Sequence, residues 1–163
     1  MRKIDFFLLA FLVTVTPLTH ADGGFGMAWA KRSHDSTLGI DQVSCNQNNC
    51  NPYHGETSCK VSLPVLCLKV DGSIRPAYLP QGGEYYDGWA RGHIATTMPI
   101  QGIALSTPIA GDQFCQATFG SKWRMAEFHD GQGGWQFRAY GNVRDDQSHW
   151  VRVRDQPGNC WNP

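Results

Sequence analysis

The first chemical suggestion in the sequence is a histidine beside a carboxylate. His129 and Asp130 stand in Phe128-His129-Asp130-Gly131, where a carboxylate that orients an imidazole would make a general base. His93, in Arg91-Gly92-His93, is the second imidazole of interest. Adjacency alone is poor geometry for such a pair, because neighbouring residues on a strand point to opposite faces, and Asp130-Gly131 is also an ordinary turn. No serine sits in a Gly-x-Ser-x-Gly elbow, and the cysteines are better explained as disulfide partners. Nucleophilic hydrolysis therefore has no visible agent.

The acidic side chains are scattered. Asp145 and Asp146 share a turn with Asn142, Asp155 lies near Asn159, and Glu84 and Asp87 flank Tyr85 and Tyr86. Calcium takes six to eight oxygens, so a loop such as 142–146 would supply only part of a site. The expectation is no metal and no cofactor.

Aromatic residues make up 12% of the chain, and Trp29, Tyr53, Tyr85, Tyr86, Trp89, Trp150 and Trp161 have Gly, Asn, Asp or Arg beside them. Rings among polar neighbours suit a surface that binds sugars or protein partners, where a flat apolar face and a few hydrogen bonds act together. The residues expected to carry such binding are Trp89, Arg91, Tyr140, Trp150 and Arg152. Aromatic residues also serve small disulfide-rich domains as compact core filler.

What positions these groups begins with composition. The chain has 163 residues, with 14 Lys and Arg against 14 Asp and Glu, and 41% apolar residues. A neutral balance lacks the basic footprint of a nucleic-acid binder, and the apolar fraction is too high for a disordered chain. Arg2 and Lys3, the apolar run Phe6 to Val13, and Thr19-His20-Ala21 form the three regions of a secretory signal peptide, expected over residues 1–21. Its removal leaves 12 positive and 13 negative side chains over residues 22–163, which implies no charge-driven partner. The apolar run is about half the ~20 residues that span a bilayer, so no transmembrane anchor is expected after cleavage. The mature protein is expected to be secreted or periplasmic.

All six cysteines (Cys45, Cys50, Cys59, Cys67, Cys115 and Cys160) lie in the mature part. An even number in an exported chain implies three disulfides. Four cluster within residues 45–67 while Cys115 and Cys160 stand apart, so these two are expected to pair, and the pairing of the other four stays open. A zinc site built from the four clustered thiols and His54 is the alternative, disfavoured by export and by the wide spacing of Cys45 and Cys50.

Residues 22–60 are rich in turn-forming Gly, Asn, Ser and Asp and read as loops fastened by disulfides. Residues 61–70 are apolar and β-branched apart from Pro64, which suggests an edge or irregular strand. The Pro and Gly breaks across 71–109 exclude long helices, making 22–109 loop-rich. A short helix is expected at 112–119, started by Asp112 and ended by Gly120. Three alternating segments, 123–128, 135–140 and 149–154, read as strands of an antiparallel sheet. Trp135, Phe137, Val151 and Val153 would face inward, and Arg138, Arg152 and Arg154 outward. The expected fold is a single small α+β domain, disulfide-stabilised and loop-rich, over residues 22–163.

The stretch Cys115-Gln-Ala-Thr-Phe119-Gly120-Ser-Lys-Trp123-Arg-Met-Ala126 resembles the helix-then-strand segment of C-type-lectin-like domains. The resemblance covers about a third of the mature chain and implies an α+β fold in which a late cysteine, here Cys160, bridges back to the helix. It also implies a role in binding sugars, proteins or other surfaces. The family's carbohydrate-binding tripeptides are absent, so calcium-dependent sugar binding does not carry over. The expected function is an exported protein that binds a glycan or protein surface ligand through an aromatic-rich face. The alternatives are an exported hydrolase using His129 or His93 with a carboxylate, and a structural component of a cell-surface assembly.

Overall fold

The computed structural model describes residues 23–45, 50–79 and 88–162. The expected signal peptide lies outside these residues, as do Glu84, Tyr85, Tyr86 and Asp87. Among the described residues no helix is long and apolar enough to cross a membrane.

The strands in chain order are β1 (Phe25–Gly26), β2 (Ala28–Asp35), β3 (Ile40–Cys45), β4 (Thr57–Ser58), β5 (Ser62–Leu63), β6 (Leu66–Val70), β7 (Gly88–Thr96), β8 (Ile100–Gln101), β9 (Arg124–Met125), β10 (Gln136–Tyr140) and β11 (His149–Trp150). One α-helix, α1 (Ala110–Phe119), lies between β8 and β9. Seven strands form one sheet in the order β11-β2-β3-β10-β7-β6-β9, while β1-β4 and β5-β8 are small two-stranded sheets. The described residues are therefore mostly β, with 38% of them in strands and bridges, and the expected α+β class is corrected.

The correction has identifiable causes. Residues 28–45 form a long antiparallel hairpin where loops were expected. Its turn is organised by Asp35, whose carboxylate accepts the amides of Thr37 and Leu38, and by Gly39 at φ +65°. Alternation along β3 is hidden because Asp41 is fully buried, where it accepts Lys31 Nζ, His34 Nδ1 and the Val143 amide. A buried carboxylate needs such partners, and they are distant in sequence.

Strand β7, in the other stretch read as loop, fits because of its glycines. A Cβ on Gly88 would stand 1.5 Å from the Gly131 carbonyl oxygen, and one on Gly92 would stand 2.0 Å from that of Lys69. Strand β6 is an inner strand, not an edge, lying between β7 and β9 with Leu66, Cys67 and Leu68 buried. Pro64 stays outside the ladder, and its carbonyl accepts the Trp150 amide.

The three C-terminal strands exist but do not form one antiparallel sheet. β10 pairs antiparallel with β3 and parallel with β7, and β11 pairs with β2. The sheet curls until its ends meet, through bridges of Val65 with Trp150 and of Glu127 with Arg152. Inside the curl lies a core that includes Trp29, Val43, Leu66, Leu68, Ile94, Phe137, Val151 and Val153. Closure removes the open edges through which sheets aggregate.

Helix α1 packs on the outside of the closure. Gly111 lies against Met125, and Cys115 is bonded to Cys67 of β6. Asp112 falls inside the first turn, so it does not cap the helix; it accepts the Met125 amide and Arg152 Nη1. The other disulfides are Cys59–Cys160 and Cys45–Cys50. The expected Cys115–Cys160 pair is thus corrected: the helix cysteine faces the sheet it covers, and the C-terminal cysteine reaches the segment after β4. With all six thiols bonded, a zinc site built from them is excluded.

Candidate binding face

The outer face of β3, β10 and β7 gathers polar and aromatic side chains because strand register puts them there. Arg138 stands opposite both Gln42 and Trp89, and Tyr140 opposite His93. Ser33 donates to Gln42 Oε1 at 3.3 Å, Arg138 donates to the same oxygen at 3.2 Å, and Gln42 Nε2 donates to Gln136 at 2.7 Å. Three planar groups are thereby linked by one run of hydrogen bonds.

Residues 71–79 fold over the adjoining part of this face. Leu79, Trp89 and Ile40 form a small outer core with Tyr140 packed against it. Trp89 donates its indole N–H to Ser73 O, and Tyr140 its hydroxyl to Ile74 O. The ring of Tyr140 meets Trp89 edge-on at 5.1 Å and stacks with His93 at 5.4 Å. Tyr78 remains 57% exposed, its hydroxyl donating to Asp35 at 2.6 Å. That bond holds the Asp35 carboxyl below its usual range and raises the Tyr78 phenol.

Asp71 is the hub of the neighbouring charges. It accepts the Ser73 hydroxyl and amide, Lys69 Nζ at 3.1 Å and His93 Nδ1 at 2.8 Å. The Ser73 hydroxyl first, then Lys69 and His93, push its carboxyl well below the usual range. Ser, His and Asp thus converge, but in the wrong order for acyl transfer. In a catalytic triad the imidazole stands between acid and hydroxyl; here the carboxylate stands between hydroxyl and imidazole, and Ser73 is not activated.

Arg91 is exposed at a bulge, where the step from Arg138 to Tyr140 on β10 matches the longer step from Trp89 to His93 on β7, and its φ is +55°. A non-glycine residue in this region is held there by its surroundings. Of the five residues expected to bind a ligand, Tyr140 lies on this surface, Trp89 forms its floor, and Arg91 is exposed at the bulge beside them. Trp89, Trp150 and Arg152 are only 5%, 1% and 5% exposed, so none of them offers a free face. Trp150 Nε1 donates to Ile100 O, and Arg152 is covered by α1, where it meets Asp112 at 3.0 Å and Pro108 O. Polar sequence neighbours misled here, because along a strand they occupy the opposite face. The exposed Trp135, expected inward, packs edge-on against Phe128 with φ +74°.

His129 sits elsewhere, and its partner is not Asp130. Its Nδ1 is 3.0 Å from Oε1 of buried Glu127, and its Nε2 is 3.9 Å from Asp155. Asp130 instead forms an ion pair with Arg124 and accepts the Glu127 amide. Burial raises the Asp130 carboxyl against the opposing pull of Arg124. The two candidate histidines therefore belong to separate pairs, His93 with Asp71 and His129 with Glu127. Among the described residues no group of three or more His, Cys, Asp or Glu is arranged to hold a metal ion.

Tyr78, Asp35, Gln42 and Asp71 carry the geometry of the face, and nothing in the sequence around them singles them out. The segment resembling C-type-lectin-like domains forms α1 followed by β9, with its cysteine bonded to Cys67. The chain matches no protein-family model, no curated protein and no solved structure.

Proposed function

We propose that this protein is an exported binding domain that recognises a surface glycan through the outer face of β3, β10 and β7 and the 71–79 loop beside it. The observation that carries the reading is the juxtaposition of the exposed Tyr78 ring and the His93–Tyr140 stack with the planar polar groups of Asp35, Gln42 and Arg138. Sugar rings offer flat C–H faces that pack on aromatic rings, and pairs of hydroxyls that planar amide, carboxylate and guanidinium groups engage two at a time. Three disulfides support a location outside the reducing cell interior, secreted or periplasmic. A protein surface ligand is the other chemistry such a face accommodates.

The test is a glycan array probed with oxidised protein and with Tyr78→Ala. Retention of specific glycans by the wild type and their loss by the variant supports the reading. Equal retention by both, or none by the wild type, counts against it. Bound glycans released as shortened products would favour the hydrolase instead.

A further inference from the structure

Apart from the binding face, His129 lies between two carboxylates, the buried one of Glu127 and the exposed one of Asp155. Glu127 fixes the imidazole: its Oε1 is 3.0 Å from Nδ1, and its Oε2 accepts the His129 amide at 2.8 Å. Oε1 also accepts the Arg154 amide at 3.3 Å, so both oxygens of this carboxylate act as acceptors. Nδ1 is therefore the donor, and the neutral ring carries its lone pair on Nε2.

Asp155 Oδ2 stands 3.9 Å from that Nε2. The separation is too long for a hydrogen bond, and Asp155 makes none with its side chain among the described residues. Neighbouring cations do not occupy the gap. Arg124 is paired with Asp130 and Arg152 with Asp112, while Arg154 forms no ion pair among the described residues. The side chains of His129 and Asp155 are 41% and 60% exposed, so both are open to solvent. Two electron-pair donors held this close, with no proton shared between them, suit a cation that accepts nitrogen and oxygen together.

We infer that His129 Nε2 and Asp155 hold a borderline divalent transition-metal ion, of the zinc and copper class, with water in its remaining positions. Imidazole suits these ions, whereas Mg²⁺ and Ca²⁺ prefer oxygen alone. Bonds of about 2.1 Å to nitrogen and oxygen put the two ligand atoms about 3.4 Å apart at a tetrahedral angle, so the exposed Asp155 closes by about 0.5 Å. Glu127 on Nδ1 is the partner that metal-bound histidines usually have, setting the tautomer and raising the basicity of the ligand nitrogen. Two protein ligands are fewer than a resident zinc centre has, so the ion exchanges with solvent. Elsewhere the arrangement is missing. His93 and His34 each share their carboxylate with a lysine, Asp71 with Lys69 and Asp41 with Lys31, and His149 is fully buried.

The experiment is an NMR titration of the oxidised mature protein at neutral pH with ZnCl₂, CuCl₂ and MgCl₂, reading the imidazole resonances. Zn²⁺ is expected to shift the His129 ring and the Asp155 amide at concentrations at least about tenfold below those that move His34, His54 or His93. Cu²⁺ should broaden the same signals at lower concentration still, and Mg²⁺ should leave them unchanged. Asp155→Asn, at an exposed side chain, should weaken Zn²⁺ about tenfold with the fold intact. Glu127→Gln should weaken it about ten- to a hundredfold. A response of all the exposed histidines at one concentration marks an adventitious ion only and overturns the inference. So does an equal response to Mg²⁺, no shift at His129, or full affinity in Asp155→Asn.

Discussion

His149 of β11 stands directly across from Trp29 of β2, and both side chains are fully buried. The pair sits where the two ends of the sheet meet, since Trp150, the next residue, bridges to Val65. Closure of the fold thus relies on a strand that carries a buried imidazole.

That arrangement makes the closure sensitive to acid. Burial pushes the His149 imidazole down to about 4, outweighing the opposing pull of the Trp29 backbone and of Asp146 and Asp41. The unfolded chain, with an ordinary histidine, takes up its proton at higher pH than the native state does. Stability from this group is therefore complete above about pH 6.5 and falls as pH drops toward 4, by on the order of 3 kcal/mol in all. Denaturant unfolding followed across this window should show the loss. His149→Phe should flatten that part of the profile, and an unchanged slope in the variant would assign the loss to other groups.

The Cys67–Cys115 bond closes a 48-residue separation and fastens α1 to β6. By the chain-entropy argument its removal costs about 4 kcal/mol. A Cys67→Ala/Cys115→Ala double variant should melt well below the wild type, by more than about 10 °C for a domain of this size. Peptide mapping without reduction should find Cys67 linked to Cys115 and Cys59 to Cys160. A Cys115–Cys160 peptide would contradict the packing of the helix.

Gly88 admits no side chain. Gly88→Ala would drive a methyl into the Gly131 carbonyl, and overpacking against backbone cannot be relieved by a rotamer change; the variant should lose about 3 kcal/mol or more. The loss is measured as a lower denaturation midpoint, or as failure to accumulate as soluble protein. Gly39 has positive φ, unlike Gly88, but a methyl placed on it would meet nothing within 4 Å. It should tolerate Ala at a cost of about 1 kcal/mol.

Tyr78 separates binding from stability. Its ring is exposed and its hydroxyl bonds to the carboxylate of Asp35 at the surface, so Tyr78→Ala should change stability by no more than about 1 kcal/mol. Glycan affinity should fall about tenfold or more if the ring packs on a sugar. Tyr78→Phe, which keeps the ring and loses the hydroxyl, should retain most of the affinity.

Much of the local structure is legible in the sequence, and little of the long-range pairing is. The helix ending at Gly120 and the burial of Phe137, Val151 and Val153 follow from spacing alone. The hairpin 28–45 does not, because Asp41 occupies a buried strand position and its partners Lys31, His34 and Val143 are assembled only by the fold. Strand β7 is obscured by the glycines that let it approach Gly131 and Lys69 so closely. For the same reason of long-range assembly His129 reads from sequence as the partner of Asp130, whereas the folded chain gives it Glu127 and gives Asp130 to Arg124. At the candidate face, Tyr140 is visible in the sequence, but Tyr78 and Gln42 join it only through the register of β3 with β10 and the path of residues 71–79.

The most direct test of the binding face is an amide chemical-shift map of the oxidised protein with a glycan retained on the array. The account predicts shifts concentrated at Asp35, Gln42, residues 71–79, His93, Arg138 and Tyr140. Shifts centred instead on His129, Glu127 and Asp155, with this face unmoved, would contradict it.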